Sequence, residues 1–399
     1  MSYQSAVLGN SPIFEHQVQF SRPALPLFSE VAPEIREVLE SGVVTKGRHL
    51  ALLEETLAAH LGVKHAIAVS SCTAGLMLTY QALEVKEAVL PGFTFMATAS
   101  SLLWANARPV FADVNRRTKN LDPFLAEASI TSGTDAIIAT HNFGNPAEIA
   151  DLESLAARRG LRLIFDAAHG MGSQFHGQPL GGQGDAQVFS LSASKLLIAG
   201  EGGVVATDDD EVARKISTGR EYGNHGNYDS LFAGINARLP EISALIARYS
   251  LGQLEEAAKR RNEIAEIYRD RLGSLPGLGF QEVHPQDRSS YTYFSITVNS
   301  EEFGLTRDEL AIALTAENIE TRRYYDPPVH RQGAYRQFAL ETHLPNVDFL
   351  SSHVLCLPIW SNMDDAVVSG ICQAIERSHS CRYQIKAKLD ASFAPALVE

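Results

Sequence analysis

Lys195 stands out among the residues equipped for chemistry. It follows the run VFSLSAS and precedes LLIAGEGGVVAT, which places it between two predicted strands. Small hydroxyl residues before it, and Gly200, Gly202 and Gly203 after it, leave room around the amine for a planar guest. Partial desolvation lowers the pKa of an amine and suits it to act as nucleophile or base. The plain alternative is a lysine that snorkels at a strand edge. Asp166 lies near the end of a very apolar run, RLIFDAAHG. A carboxylate so placed is costly unless it is paired, and in open α/β sheets such strand ends form the ligand crevice. Asp166 reads either as a buried cap for the next turn or as partner to a bound cation or a protonated ring nitrogen.

Three further features sit around this pair. His169, three residues beyond Asp166, either lines the same crevice or is a satisfied structural histidine. The stretch SCTA, Ser71 to Ala74, falls between a predicted strand and a predicted helix. Small side chains there expose backbone N–H groups at a helix N-terminus, a seat for phosphate, although most such turns only cap their helix. Cys72 within it reads as a small spacer. A lysine and a carboxylate set by separate strand ends match the needs of pyridoxal phosphate: one holds the aldehyde, the other keeps the pyridine nitrogen protonated. Neither G-x-G-x-x-G after the first strand nor G-x-x-x-x-G-K-[ST] occurs. No metal-ligating set is expected, and Asp208-Asp209-Asp210 reads as a solvated turn or helix cap.

The elements that must position these residues alternate strand and helix. Strands are predicted at 66–71, 87–90, 108–113, 136–141, 162–168, 186–191 and 203–207, and helices at 48–61, 95–105, 121–128 and 149–159. A turn is predicted at 72–75, with a helix from there through Leu83. Such alternation means crossover units and a mostly parallel sheet with helices outside. From Pro240 to Arg271 the sequence reads as one long helix, charged on one face, with almost no breaker except Gly252. A strand at 293–298, a helix at 306–317, the irregular RRYYDPPVHRQGAY, a strand at 354–358 and a helix at 364–377 follow. The boundary is drawn near residue 250, giving a large domain over 1–250 with an N-terminal extension and a smaller one over 251–399. Trp104 and Trp360 are expected to pack.

The 399 residues carry a formal charge of −13, with 45% hydrophobic and 20% charged side chains. That is an ordinary globular mix, and the acidic balance disfavours a nucleic-acid partner. Four irregularly spaced cysteines fit reduced thiols rather than a disulfide framework. With neither a secretory signal nor a membrane span recognisable, a soluble cytoplasmic enzyme without a membrane partner is expected.

Along nearly its full length the chain resembles the DegT/DnrJ/EryC1/StrS family of sugar aminotransferases. The matching segments run in order: TKGRHLALLEETLAAHLGVKHAIAVSSCTAGL, VLPGFTFMATASSLLWANARPVFADV, FDAAHGMGSQFHGQPLGGQGDAQVFSLSASKLLIAGEGGVVATDD, GREYGN, GINARLPEISAL, YYDPPVH and VLCLPIW. The resemblance implies the aspartate aminotransferase fold type I, an α/β fold with a mostly parallel seven-stranded sheet and a smaller C-terminal α+β domain. It implies pyridoxal 5′-phosphate as cofactor, with Lys195 as the Schiff-base lysine and Asp166 on the pyridine nitrogen. Phe95 would stack on the ring and His169 would lie near the 3′-oxygen. Thr73, Ala74 and Ser190 would bind the phosphate. It also implies a homodimer in which Asn236, ahead of Arg238 as candidate, reaches the partner's active site. Arg220, Tyr222, Arg323, Tyr324, Tyr325 and His330 are the implied substrate contacts.

The implied activity is transfer of an amino group from L-glutamate, or L-glutamine, to a keto group of a nucleotide-linked deoxysugar, dTDP-linked in the leading reading. Such chemistry serves aminosugar formation in antibiotic and surface-polysaccharide routes. One departure bears on the substrate. Many sugar-nucleotide members carry histidine three positions before the lysine, where this chain has Ser192. With AGEGG, Ser192 is similar to the cyclitol and aminohydroxybenzoate branch, while FDAAHG is similar to the nucleotide-sugar branch. A keto-cyclitol acceptor is therefore the alternative, and a noncatalytic pyridoxal-phosphate-binding regulator the lesser one.

Overall fold

The computed structural model describes residues 5–393. Strands β1 (His65–Val69), β2 (Glu87–Pro91), β3 (Arg108–Ala112), β4 (Ala136–Thr140), β5 (Arg162–Asp166), β8 (Ala186–Ser190) and β9 (Gly203–Thr207) form one sheet, while β6 (Gln174–Phe175) and β7 (Gln178–Pro179) form a separate hairpin. The sheet order is β1-β9-β8-β5-β4-β2-β3. Strands β8, β5, β4, β2 and β3 run parallel; β9 is antiparallel to both of its neighbours. Strands β2, β4, β8 and β9 are buried throughout. That is why they read as largely apolar runs rather than alternating ones. One face packs on a core containing Leu76, Tyr80, Phe93 and Val188, the other on Leu53, Leu57, Phe165 and Phe189.

The smaller C-terminal body is an antiparallel sheet, β10 (Leu278–Phe280), β11 (Phe294–Val298) and β12 (Val354–Leu357), covered by the helices Arg307–Ala316 and Asp365–Ser380. Helix Leu254–Leu272 joins it to the large body: Leu254 and Ala258 pack on the large core, and Ile264 and Tyr268 on the small one. Although the boundary near 250 follows chain order, the N-terminal stretch lies on the small body in space. Val18 bridges Ile319, and the Glu317 carboxylate accepts from the N–H groups of Ala6 at 2.9 Å and Ile13 at 2.8 Å.

Several expectations need correction. The stretch 240–271 is two helices, Glu241–Gly252 and Leu254–Leu272, parted at Gln253 with φ −106° and ψ 0°. Gly252, with its poor helix propensity, ends the first. The turn predicted at 72–75 is the first turn of helix Cys72–Ala82, because Ser71 Oγ caps it by accepting from the Ala74 N–H at 3.1 Å. Asp209 does cap helix Asp210–Gly219, in line with the cap reading of the acidic triplet. Trp360 is buried as expected, but Trp104, on the outer side of helix Met96–Trp104, is 76% exposed. Helices Phe28–Ser41, Pro345–His353 and Arg382–Phe393 were not predicted. Among the described residues no helix is long and apolar enough to cross a membrane.

Candidate active site

At the carboxyl ends of β2, β4, β5 and β8 a cavity of about 350 Å³ opens, closed on its far side by Tyr293, Tyr324 and Tyr325 of the small body. Asp166, the last residue of β5, lies on its floor and is buried. Its Oδ2 accepts from Thr98 Oγ1 at 2.7 Å and its Oδ1 from the Ala168 N–H at 3.2 Å, with the Cys72 thiol 3.9 Å from Oδ1. Burial pushes the Asp166 carboxyl up from its ordinary value, and these hydrogen bonds pull the other way. Thr98 is held in turn by Thr94, 2.8 Å away.

Lys195 sits in the loop that leaves β8, held by its own N–H on Ser192 O at 3.0 Å and by the Ala199 N–H on Leu191 O at 2.8 Å. Burial pulls its amine down to about 8, with the attraction of Asp166 acting against that fall. Among the described residues Nζ has no hydrogen bond or ion pair. It faces the Tyr293 ring, whose centroid is 5.5 Å away. His169 is buried and its Nδ1 accepts from the Phe143 N–H at 3.2 Å, which leaves Nε2 as the donor of the neutral ring. Burial keeps its pKa well below the usual histidine range.

The N-terminus of helix Cys72–Ala82 also lines the cavity. Its first N–H groups have no acceptor inside the helix, and the helix dipole favours an anion there. Gly203 makes that position possible, since a Cβ on it would lie 2.6 Å from the Cys72 nitrogen. Thr73, Ser190 and Phe95 line the cavity as expected. Ala74 does not: it is buried, and its N–H is already committed to Ser71. Thr140 Oγ1, in the lining, is buried without a hydrogen-bond partner. A buried orphan hydroxyl, an unpaired amine, a carboxylate and an anion seat around one slot fit pyridoxal phosphate.

A second cavity of about 780 Å³ adjoins the first and shares Phe95, Tyr324 and Tyr325 with it. Arg323 is in its wall, paired to Asp308 at 3.0 Å. The remaining sequence candidates line neither cavity. Arg220 is tied to Glu54 and to Ala68 O. Tyr222 is exposed, with the Arg238 guanidinium 5.5 Å from its ring centroid, and Asn236 is exposed opposite Glu221. His330 is buried against Phe111, its Nε2 3.7 Å from Asp348. Sequence reasoning missed Thr98 and Tyr293. Thr94 and Thr98, one helical turn apart beside PGF, were a readable signal for the first. Tyr293 arrives from the other body and carries no local signal.

The DegT/DnrJ/EryC1/StrS aminotransferase family matches residues 28–376. The spore coat polysaccharide biosynthesis protein SpsC of Bacillus subtilis is 33% identical over 371 residues, covering 88% of this chain and 95% of that protein. Among solved structures, DesI in the presence of its TDP-sugar product superposes with a TM-score of 0.89 at 31% identity, over 98% of both chains. PseC of Helicobacter pylori, an aminotransferase involved in pseudoaminic acid biosynthesis, gives 0.84 at 27% identity, over 91% of this chain and 99% of that one.

Proposed function

The chain belongs to the DegT/DnrJ/EryC1/StrS family of pyridoxal-phosphate-dependent aminotransferases, with their fold type I, and from that premise we propose that it aminates a keto group on a nucleotide-linked deoxysugar, dTDP-linked, with L-glutamate or L-glutamine as donor. The observation that carries this reading is the buried, unpaired Lys195 amine facing one slot together with Asp166. A buried cationic amine without a partner is several kcal/mol unfavourable, so the site is arranged for a guest.

Pyridoxal phosphate, when bound, supplies an aldehyde and a ring that accepts an electron pair from carbon. Asp166, anchored by Thr98 and Ala168, holds a proton on the ring nitrogen. The N–H groups at the start of helix Cys72–Ala82, with Ser190, would hold the phosphate, and Phe95 would pack against the ring. Nε2 of neutral His169 would be free to donate to the ring oxygen. Lys195 Nζ would take the proton from the donor's α-carbon and hold it for return, a role that suits a flexible, partly deprotonated amine. Its lowered pKa leaves a useful fraction of free base at neutral pH.

The sugar nucleotide occupies the adjoining cavity, with Tyr324 and Tyr325 between the two spaces and Arg323 near the anionic end. Arg220, Tyr222, His330 and Asn236 lie off this chain's own cavities, and in this reading Tyr222 and Asn236 serve the partner of a homodimer. The TDP-sugar product of DesI supports the nucleotide, and four cysteines, none of them in a disulfide, accord with a cytoplasmic setting. Purified protein offered L-glutamate with dTDP-keto sugars or with keto-cyclitols tests the assignment. Turnover of dTDP-keto sugars supports it; turnover of cyclitols alone overturns it.

A further inference from the structure

Away from the active site, the β6–β7 hairpin of the large body leans on the segment that leads into β11 of the small body. Gln174 and Arg288 exchange both backbone hydrogen bonds at 2.9 Å, and Asp287 Oδ1 accepts from the His176 N–H at 2.8 Å. These contacts bring His176 at the hairpin tip beside His284 and Asp287. One ligand atom from each lies within 4.8 Å of the other two. We infer that His176, His284 and Asp287 form a site for a first-row divalent cation of the zinc class, stapling the large body to the small one.

The donor set fits that chemistry. Two imidazoles and a carboxylate suit zinc, nickel or copper better than the oxygen-seeking magnesium or calcium. Ligand atoms on a tetrahedral zinc sit about 3.4 Å apart, as bonds of ~2.0–2.1 Å require, so modest side-chain rotations close the set. The supports are already present. Asp287 is oriented through Oδ1, which leaves Oδ2 to bind metal, and the Phe175 ring stacks on His176 at 4.0 Å. His284 Nδ1 accepts only a long 3.3 Å bond from the Gln286 N–H, one a metal ion can displace. His176 has φ 48° and Gly177 φ 78°, the positive values that a two-residue hairpin turn demands. The turn thus presents the imidazole at its tip, facing the loop.

The surroundings favour a cation too. The three residues line a cavity of about 410 Å³ whose wall also carries Glu148, Asp151 and Glu282. Its arginine, Arg117, and Glu282 pair with each other, and burial raises the Glu148 carboxyl to about 7, so Asp151 carries the preference for a cation. His176 and His284 lie far apart in the chain and belong to no spacing motif, so only the folded structure brings them together.

Metal-stripped holoenzyme is titrated with Co²⁺ while its visible d–d bands are followed, then with Zn²⁺ in competition and in thermal melts. One Co²⁺ per chain, with Kd of order 1 µM, is expected, together with a Zn²⁺-dependent rise in Tm. His176→Ala and His284→Ala should each weaken binding at least ~10-fold, and the double variant should lose both the bands and the Tm rise. Asp287→Asn, which keeps an acceptor for the His176 N–H, should also weaken binding. Equal metal-free melting of variants and wild type shows that the fold is intact, and transamination should persist in all of them. Binding no tighter than ~100 µM, or unchanged in the double variant, overturns the inference.

Discussion

Lys195 should titrate near pH 8 in the cofactor-free protein, far below an ordinary lysine. Burial draws its amine down to about 8 from 10.5, and no hydrogen bond to Nζ opposes that among the described residues. At about pH 7.5 roughly a quarter of the Lys195 amines are then free base, against about one in a thousand for a solvated lysine. Competitive labelling of apoenzyme with an amine-reactive reagent, read peptide by peptide by mass spectrometry, should give Lys195 a labelling midpoint near 8. The attraction of Asp166 holds that value up, so in Asp166→Asn the midpoint should move lower still. The same shift appears in stability. The folded chain gives up this proton at about 8 and the unfolded chain near 10.5, so the unfolded state binds more protons between those values. Apoenzyme stability relative to Lys195→Met should therefore rise with pH across that window, by about 3 kcal/mol. A midpoint near 10, or one that rises in Asp166→Asn, refutes the desolvated-amine account.

Thr98→Val removes the 2.7 Å donor to Asp166 Oδ2; about 1.5–3 kcal/mol of a hydrogen bond to a charged group is at stake, so spectrophotometric titration should show at least ~10-fold weaker cofactor binding. Gly203→Ala forces a Cβ to 2.6 Å from the Cys72 nitrogen; thermal melts should show a loss of roughly 1–3 kcal/mol, and phosphate should protect the apoenzyme less than it protects wild type. If Asn236 serves the partner's site, mixing Lys195→Ala with Asn236→Ala subunits should restore about a quarter of wild-type activity, since half of randomly paired dimers are mixed and each has one sound site. No recovery after verified subunit exchange counts against that placement.

Much of the scaffold was legible because its signals are local. β9 falls at the residues predicted, and helices Arg48–Leu61 and Ile149–Arg159 match theirs end to end. Each pattern fills a full turn or strand with side chains that must be buried. What the sequence hid depends on long-range packing. The break at Gln253 was masked by the helical charge pattern on both sides of it. The N-terminal stretch joins the small body through Glu317, a residue hundreds of positions away. In the site, Lys195 and Asp166 were readable from their odd company of small and apolar neighbours. Ala74 was not excluded until the Ser71 cap was seen to occupy its N–H. His330 was a wall residue only by the family resemblance, whereas it is buried beside Phe111 and Asp348.

The separation of the amine from the carboxylate is itself informative. Asp166 ends β5 and Lys195 lies in the loop beyond β8, and among the described residues no ion pair joins them. Had the two paired directly, the attraction would hold the amine protonated and the slot would be filled by a salt bridge. Instead the Asp166 oxygens are taken up by Thr98 and the Ala168 N–H, with the Cys72 thiol alongside, and these hold the carboxylate on the floor. Cys72 does not neutralise the lysine, because burial drives its thiol well above the ordinary range and keeps it protonated. Two buried groups of opposite charge, each held back from the other, are unfavourable in an empty slot. They become favourable when a planar heterocycle lies between them with a basic nitrogen at one edge and an electrophilic carbon at the other. That is the physical reason the pair suits a cofactor site better than a core.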